Sequence, residues 1–595
     1  MIHYRIEVAD AAAHQFKITL TVAEPAPEQH LSLPVWIPGS YMVREFSRHL
    51  SRVEARQGAQ ARDVVQLAKN RWSVATAGRG ALVVTYFAYA FDASVRTAWL
   101  TPDRGFFNAT SLCLAVEGRT EEPQRVELYR LPAGWDVATA MTRVDAPRPV
   151  RPAKGARPAP PARTQVFESA DYDELADHPF ELGAFWRGRF TSGGAVHEFV
   201  VAGAWPQFDG ERLLADTKRI CDEEIRFWHG DGKPPFARYV FMLYATEDGY
   251  GGLEHRASTA LIAARKDLPR LGVAGSSDGY VTLLGLISHE YFHTWNVKRL
   301  KPAEFLPYDF ERENYTELLW FFEGFTSYFD DLFLLRSGLI DAPRYLKLLG
   351  RAMNGVRQTP GQQVQSVAEA SYDAWVKYYR ADENTPNATI SYYTKGSLIA
   401  LMLDLALRAT GKTTLDDVMR ALWRDAPGGA VTEALILSTV SRMGGKAVAA
   451  DLRRWVHERA ALDVLPALAK VGVEPESEAL NLATELGVRL SEGPVTGIQV
   501  RSVLAGGAAA AAGLSSGDEI LAVDGWRVRR LDDAVAWLRT GAAFELLVVR
   551  QQRILTLRVA ERSGAQRGDS ASRTLKLSAT PNALTRKRRT GWIGG

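Results

Sequence analysis

Along residues 1 to about 145, apolar and polar positions alternate with a period of two. His3-Tyr-Arg-Ile-Glu-Val and Phe16-Lys-Ile-Thr-Leu-Thr-Val carry the pattern, and Ala81-Leu-Val-Val-Thr-Tyr-Phe-Ala-Tyr extends it over a longer run. This region is predicted to be β-rich. Pro34-Val-Trp-Ile-Pro-Gly-Ser-Tyr breaks the pattern with two prolines and a glycine, so it is predicted to be a shaped turn or edge segment. Residues 147–161 hold six prolines among Arg, Lys and Ala and read as an exposed connector. From 165 to 265 the pattern is mixed, with a strand over Tyr239 to Tyr244. From about 280 the apolar spacing turns helical, over 281–296, 316–336, 343–354, 394–409, 414–424, 431–442 and 446–458. After about 480, short strands and Gly-rich turns return. The last 30 or so residues carry Arg586-Lys-Arg-Arg and little apolar periodicity, which predicts a solvated basic tail. The pattern divides the chain at 1–165, 166–335, 336–480, 481–562 and 563–595.

Composition narrows the class. The 595 residues are 46% hydrophobic and 24% charged, as in ordinary globular proteins, and 72 basic against 69 acidic residues leave a net charge of +3. That balance gives no bulk electrostatic reason to expect nucleic acid as a partner. No apolar run approaches the length of a membrane span, and the first residues lack a secretory pattern. With two cysteines, Cys113 and Cys221, neither a disulfide framework nor a thiolate metal cluster is expected. The expectation is a cytoplasmic multidomain protein.

The strongest chemical signal is His289-Glu290-Tyr-Phe-His293. On a helix, positions i and i+4 share one face, so both imidazoles can hold one Zn²⁺. Glu290, one step around, can serve a metal-activated water as general base without itself being a ligand. A catalytic zinc needs a third ligand. Glu323, in Trp320-Phe-Phe-Glu-Gly-Phe, is a carboxylate in a strongly apolar run, where metal coordination would offset the cost of burying its charge. Glu311, Glu313 and Glu317 are rivals in more polar surroundings. Asp330, seven residues on, is either the hydrogen-bond acceptor for a zinc histidine or a solvated helix acid.

The stretches His289-Glu-Tyr-Phe-His-Thr-Trp-Asn-Val-Lys-Arg-Leu-Lys-Pro and Phe322-Glu-Gly-Phe-Thr-Ser-Tyr resemble the glycyl aminopeptidase family of gluzincin zinc metallopeptidases, relatives of aminopeptidase N. Leu33-Pro-Val-Trp-Ile-Pro-Gly-Ser-Tyr-Met-Val-Arg-Glu-Phe and Tyr172-Asp-Glu-Leu-Ala-Asp-His-Pro-Phe-Glu-Leu-Gly resemble it too. The resemblance implies a multidomain α+β fold: an N-terminal β-rich domain, a thermolysin-like catalytic domain, an α-helical domain and a PDZ domain. It implies a zinc aminopeptidase, with one Zn²⁺ per chain on His289, His293 and Glu323 and a preference for small N-terminal residues, glycine first. Gly251-Gly252-Leu-Glu254-His resembles the Gly-x-Met-Glu-Asn strand of aminopeptidase N enzymes, whose glutamate binds the substrate's free α-amine; here His255 stands in place of the asparagine. Ser391-Tyr-Tyr393-Thr-Lys-Gly resembles the segment whose tyrosine stabilises the transition state, with Tyr392 the neighbouring alternative. Ala512-Gly-Leu-Ser-Ser-Gly-Asp-Glu-Ile-Leu-Ala-Val-Asp-Gly-Trp resembles a PDZ domain of the bacterial protease type. Leu531 to Leu538 would be its groove helix, and Leu486, Gly487 and Val488 would hold a peptide carboxylate. The implied partners are peptides with a free N-terminus and a peptide C-terminus or protein at the PDZ domain. The rival functions are a zinc endopeptidase and an inactive PDZ scaffold.

Overall fold

Alternating side chains of the first strands build the N-terminal core. In β1 (Ile2–Asp10) the residues Ile2, Tyr4 and Ile6 point inward, as do Phe16, Ile18, Leu20 and Val22 of β2 (Gln15–Val22). The antiparallel register pairs Tyr4 with Leu20 and Ile6 with Ile18, so both inward rows lie on one face. In the computed structural model, which describes residues 1–144, 164–477, 481–562 and 571–594, these strands belong to an eight-stranded sheet. Two four-stranded sheets accompany it. Gln165–Ser169 joins the large sheet and Pro179–Gly183 one of the smaller ones, so the β-rich region runs past residue 165 to Gly183. The proline-rich connector at 147–161 lies outside the described residues.

The chain forms two compact units, Met1–Asn314 and Tyr315–Gly595. The first unit also contains a five-stranded sheet in the order β3 (Trp186–Ser192), β4 (Ala195–Ala202), β5 (Arg238–Thr246), β7 (Ser258–Ala264) and β6 (Gly251–Glu254). Strands β4, β5 and β7 run parallel, and β6 closes one edge antiparallel to β7. Two helices accompany this sheet, α1 (Gly210–His229) and α2 (Asp278–Phe292). Helix α2 is apolar on most of its surface, the pattern of a helix buried on several sides. Its start is set by Ser277, whose hydroxyl accepts from the Tyr280 N–H.

The second unit is mainly helical at its start. Its boundary falls ahead of α3 (Leu319–Arg336), which the sequence pattern groups with residues 166–335. The physical reason is packing: α3 lies along α4 (Tyr392–Thr410), and a Cβ on Gly324 would sit 2.5 Å from the Cα of Gly396. Backbones that close leave room for no side chain at either position. Tyr328 of α3 donates to Asp404 of α4 at 2.7 Å, which pins the pair further along. Leu415–Asp425, Glu433–Gly444 and Lys446–His457 are helices within a few residues of their expected limits.

The segment expected to be a PDZ domain is a sheet in the order Val488–Gly493, Gly497–Val503, Glu519–Val523, Phe544–Arg550 and Arg553–Val559 over its own core. The expected groove helix is a 3₁₀ helix, Leu531–Ala536. The solvated tail is corrected. Arg573–Leu577 pairs antiparallel with Val473–Ser477, and Ala583–Ile593 is a helix. Trp592 is 2% exposed and donates to the Tyr328 hydroxyl at 3.0 Å. The basic run Arg586 to Arg589 thus sits on an anchored helix: two apolar residues near its end hold the element, a signal too sparse for periodicity to register.

Candidate active site

The expected site residues divide between the two units: Glu254, His289, Glu290 and His293 in the first, Glu323, Asp330 and Tyr393 in the second.

In the first unit, α2 carries His289 and Glu290, and His293 is its C-cap. Three bonds hold that helix end in place. Ser288 donates to Glu224 at 2.9 Å, Tyr291 meets His197 at 2.8 Å, and Trp295 donates to His229 at 2.8 Å. The Nε2 atoms of His289 and His293 are 3.0 Å apart, so the two imidazoles converge on one point. Two nitrogens that each bind one zinc at about 2.0–2.1 Å would have a similar separation. Nδ1 of His293 lies 2.7 Å from the Asn296 carbonyl, which accepts its N–H and leaves Nε2 with its lone pair for a metal. The residues therefore fit a divalent cation. The acceptor for His293 is this backbone carbonyl. Asp330, half-buried on α3, accepts the Asp331 N–H in its own unit.

Glu290 is 5% exposed and Glu254 4% exposed. One ligating atom each of Glu254, Glu290 and His293 lies within 4.8 Å of the others. The register of β6 against β7 pairs Gly251 with Ile262 and Glu254 with Thr259, which sets the strand beside α2. Gly252 is demanded by this approach, because a Cβ there would collide with Oε1 of Glu290. Gly39, at φ +92°, is equally constrained: its Cβ would lie 2.5 Å from the Glu254 carboxylate. The Pro34 to Tyr41 turn of the β-rich region therefore backs directly onto Glu254.

Two supporting groups stand behind the site without a sequence motif to mark their roles. Arg96 donates to the Gly252 carbonyl at 3.1 Å and fixes the outer part of β6. No local pattern marks it. Asp177 lies within the quoted Tyr172 to Gly183 stretch and Lys298 within the His289 stretch. Their side chains pair at 2.6 Å with both residues buried. Asp177 also accepts the Arg256 N–H at 2.8 Å and meets His255 at 3.4 Å. Burial pushes the Asp177 carboxyl up, but Lys298, Arg256 and His255 together outweigh it and hold the group well below the ordinary carboxylate range. One buried anion thus ties the end of the Glu254 strand to the loop that follows His293. His255, next to Glu254, is part of this tie.

In the second unit, Glu323 is 2% exposed on α3, and Tyr393 lies in the first turn of α4, after the Ser391 cap. Burial, and after it the Glu323 carboxylate, raise the Tyr393 phenol well above its ordinary pKa, so it is a hydrogen donor at any physiological pH. Its hydroxyl is 3.4 Å from that of Tyr379. Tyr392 is wholly buried. Leu486 ends the short helix Leu482–Leu486, capped by Gly487 in the left-handed conformation, and Val488 opens the first PDZ strand. The Gly487 N–H donates to the Thr484 carbonyl, so this amide serves the helix end.

Residues 282–399 match the family model of the M61 glycyl aminopeptidase, residues 3–184 that of the peptidase M61 N-terminal domain, and residues 499–550 that of a PDZ domain. No curated protein matches the chain. Among solved structures, the aminopeptidase N family protein from Idiomarina loihiensis is 36% identical with a TM-score of 0.91, and the match covers 100% of both chains. The M1 zinc metallopeptidase from Deinococcus radiodurans is 16% identical over 78% of this chain and 94% of its own, with a TM-score of 0.48. With a relative at this identity over its whole length and two M61 models along it, the chain belongs to the M61 glycyl aminopeptidase family and is a metallo-aminopeptidase with a C-terminal PDZ domain.

Proposed function

We propose that this metallo-aminopeptidase uses one Zn²⁺ held by His289, His293 and Glu323 to release small N-terminal residues, glycine first and then alanine, from peptides. Two imidazoles and a carboxylate are a donor set suited to Zn²⁺ with a position left open. When bound, the ion supplies a Lewis acid for the scissile carbonyl and acidifies a water. Glu290 takes the proton of the attacking water and passes it to the leaving amine. Its burial beside His293 keeps the carboxylate at the metal-binding imidazole and away from bulk water, the placement a general base needs. The protonated phenol of Tyr393 donates to the carbonyl oxygen as negative charge develops there. Glu254 pairs with the α-ammonium of the substrate, and Gly251 and Gly252 offer backbone to the chain that follows.

One observation carries this reading: a metal histidine, a buried base and a second buried carboxylate meet within 4.8 Å in the first unit. The second carboxylate has no task in hydrolysis itself. An anion at that position favours substrates with a free ammonium, which distinguishes an aminopeptidase from an endopeptidase on the same metal. The small-residue preference rests on the family match and on the tight approach of Gly39 to Glu254, which narrows the space around the first residue.

A peptide or protein is proposed to add along Val488–Gly493, the edge strand of the PDZ domain. Among the described residues no helix is long and apolar enough to cross a membrane. Cytoplasmic action is part of the proposal and is supported by two cysteines that are both free and buried.

The deciding experiment assays the purified chain on Gly-, Ala- and Leu-terminated peptides and on an N-acetylated glycyl peptide, with and without a chelator. Hydrolysis should be fastest for glycine, near background for the blocked peptide, lost with chelator and restored by zinc. Equal rates on blocked and free peptides would overturn the aminopeptidase assignment of Glu254.

A further inference from the structure

A groove of about 890 Å³ opens in the first unit between the β-rich region and the segment Lys301 to Arg312. It includes none of His289, Glu290, His293 or Glu254 in its wall. A cavity of that size takes a small molecule comfortably. Aromatic rings of Tyr172, Phe305, Tyr308 and Phe310 form much of it.

The groove holds one unusual group. Lys301 is 7% exposed, and its ammonium lies 4.3 Å from the ring centroid of Tyr308. Among the described residues it has neither an ion pair nor a side-chain hydrogen bond. A buried ammonium with only a ring for company is costly, and in folded proteins such a charge is ordinarily matched by an anion. The nearby carboxylates are already engaged: Asp177 holds Lys298 and Asp173 holds Arg256. Burial, and then the neighbouring Lys298 and Arg256, bring the Lys301 amine down to about 8. It is thus charged at neutral pH, and the two carboxylates that act on it, Asp173 and Asp177, are each already paired with another cation.

The other charges of the groove decide what kind of anion fits. Arg71 is paired to Glu117 and Arg312 to Asp309. Asp171 caps a short helix and accepts the Glu174 N–H at 2.7 Å. What remains for a ligand is Lys301 together with Glu121 and Glu311, none of which is in an ion pair among the described residues. A phosphate, a nucleotide or nucleic acid would meet two uncommitted carboxylates for one ammonium. A molecule carrying both a carboxylate and an ammonium meets complementary charge at both ends, and its side chain meets the aromatic wall.

We infer that this groove is a binding site for a free α-amino acid, its carboxylate held by Lys301 and its ammonium by the acidic residues. The inference does not rest on the proposed hydrolysis, since the ligand is bound and not transformed. The groove does adjoin the support of Glu254: Asp173, in its wall, pairs with Arg256, whose N–H donates to Asp177. Occupancy there is therefore one salt bridge from the Asp177 tie.

Calorimetric titration of the full chain with glycine, L-alanine and L-phenylalanine tests this. The amino acids should bind saturably. N-acetylglycine, glycinamide and acetate, each lacking one charge, should bind at least about tenfold more weakly, as loss of one ion pair predicts. Lys301→Met should weaken glycine at least about tenfold, and Glu254→Ala should leave it within about twofold. Should Lys301→Met fail to fold, the exposed double variant Glu121→Gln/Glu311→Gln decides, with the same weakening expected. Acetate binding as tightly as glycine would reduce the site to a simple anion site and overturn the inference. So would binding lost in Glu254→Ala but kept in Lys301→Met, which would assign it to the active site, or no saturable heat up to about 20 mM amino acid.

Discussion

Glu290 and Glu254 are both buried carboxylates, yet their positions call for opposite experimental signatures. Glu290→Gln removes a base and no ligand, so bound zinc should stay near one per chain while kcat falls by at least about 10³-fold. His289→Ala, His293→Ala or Glu323→Ala should each lower zinc content together with activity. Metal analysis on the four purified variants checks this, and equal zinc loss in all of them would contradict the division of roles. Glu254→Ala should cut kcat/KM on free-amine glycyl peptides by roughly 30-fold or more, since breaking a partly desolvated ion pair costs about 2–5 kcal/mol. It should leave the weak rate on N-acetylated peptides unchanged; equal slowing of both would refute the amine role. The tyrosine choice is also a residue matter. Tyr392 is wholly buried, whereas Tyr393 keeps partial exposure and a phenol near Tyr379. Tyr393→Phe should lower kcat about 10²–10³-fold with little change in KM, the usual cost of one oxyanion donor, and Tyr392→Phe should be damaging only through stability.

Pairs of elements place these residues. Helices α3 and α4 meet at Gly324 and Gly396, where two backbones are in contact. Glu323 precedes the first glycine, and Tyr393 lies one turn before the second, so the contact sets the distance between the proposed metal ligand and the proposed oxyanion donor. Gly324→Ala forces a methyl into backbone that cannot yield. Overpacking of this kind costs about 1–3 kcal/mol. The variant should melt several degrees lower and lose kcat beyond its loss of folded fraction. Wild-type kcat per folded, zinc-loaded molecule would show that the helices set stability alone. The expected helices after residue 280 were legible from their apolar spacing, and most also carry a capping residue: Ser277, Asp341, Ser391, Thr414 and Thr432 each accept a first-turn N–H, while Leu319–Arg336 and Lys446–His457 start without a side-chain cap. The final helix was not legible, because its anchorage is two residues, Trp592 and Ile593, against helices far away in sequence.

For the molecule as a whole, acid stability is set in part behind the catalytic helix. His197 is fully buried with its ring against Tyr291, and burial lowers its pKa to about 4 from an ordinary 6.5. Between those values the unfolded chain binds a proton that the folded chain does not. Stability is therefore intact above pH 6.5 and lost as pH falls toward 4, by about 3 kcal/mol for the whole shift. In urea unfolding of the first unit, the loss between pH 7 and pH 4 should be smaller in His197→Leu than in wild type. Parallel curves would show that His197 does not carry the acid limb.

The chain's own pattern determined the order of β-rich, mixed and helical regions and the His289 to His293 motif, and its resemblances pointed to the PDZ region and to Glu323, because each is written in residues near one another. Periodicity, capping and i, i+4 spacing are local physics, and a linear sequence displays them. Tertiary structure alone decided that Gly39 backs onto Glu254, that Arg96 fixes the Gly252 carbonyl and that Asp177 ties Lys298 to the Glu254 strand. It also decided that Lys301 lines a groove with its ammonium over the Tyr308 ring and, among the described residues, in no ion pair. Each of these joins residues far apart along the chain, from 78 positions for Asp177 and His255 to 215 for Gly39 and Glu254, or turns on how a side chain is surrounded. Both follow from how the chain packs in three dimensions, and no spacing along the chain encodes them.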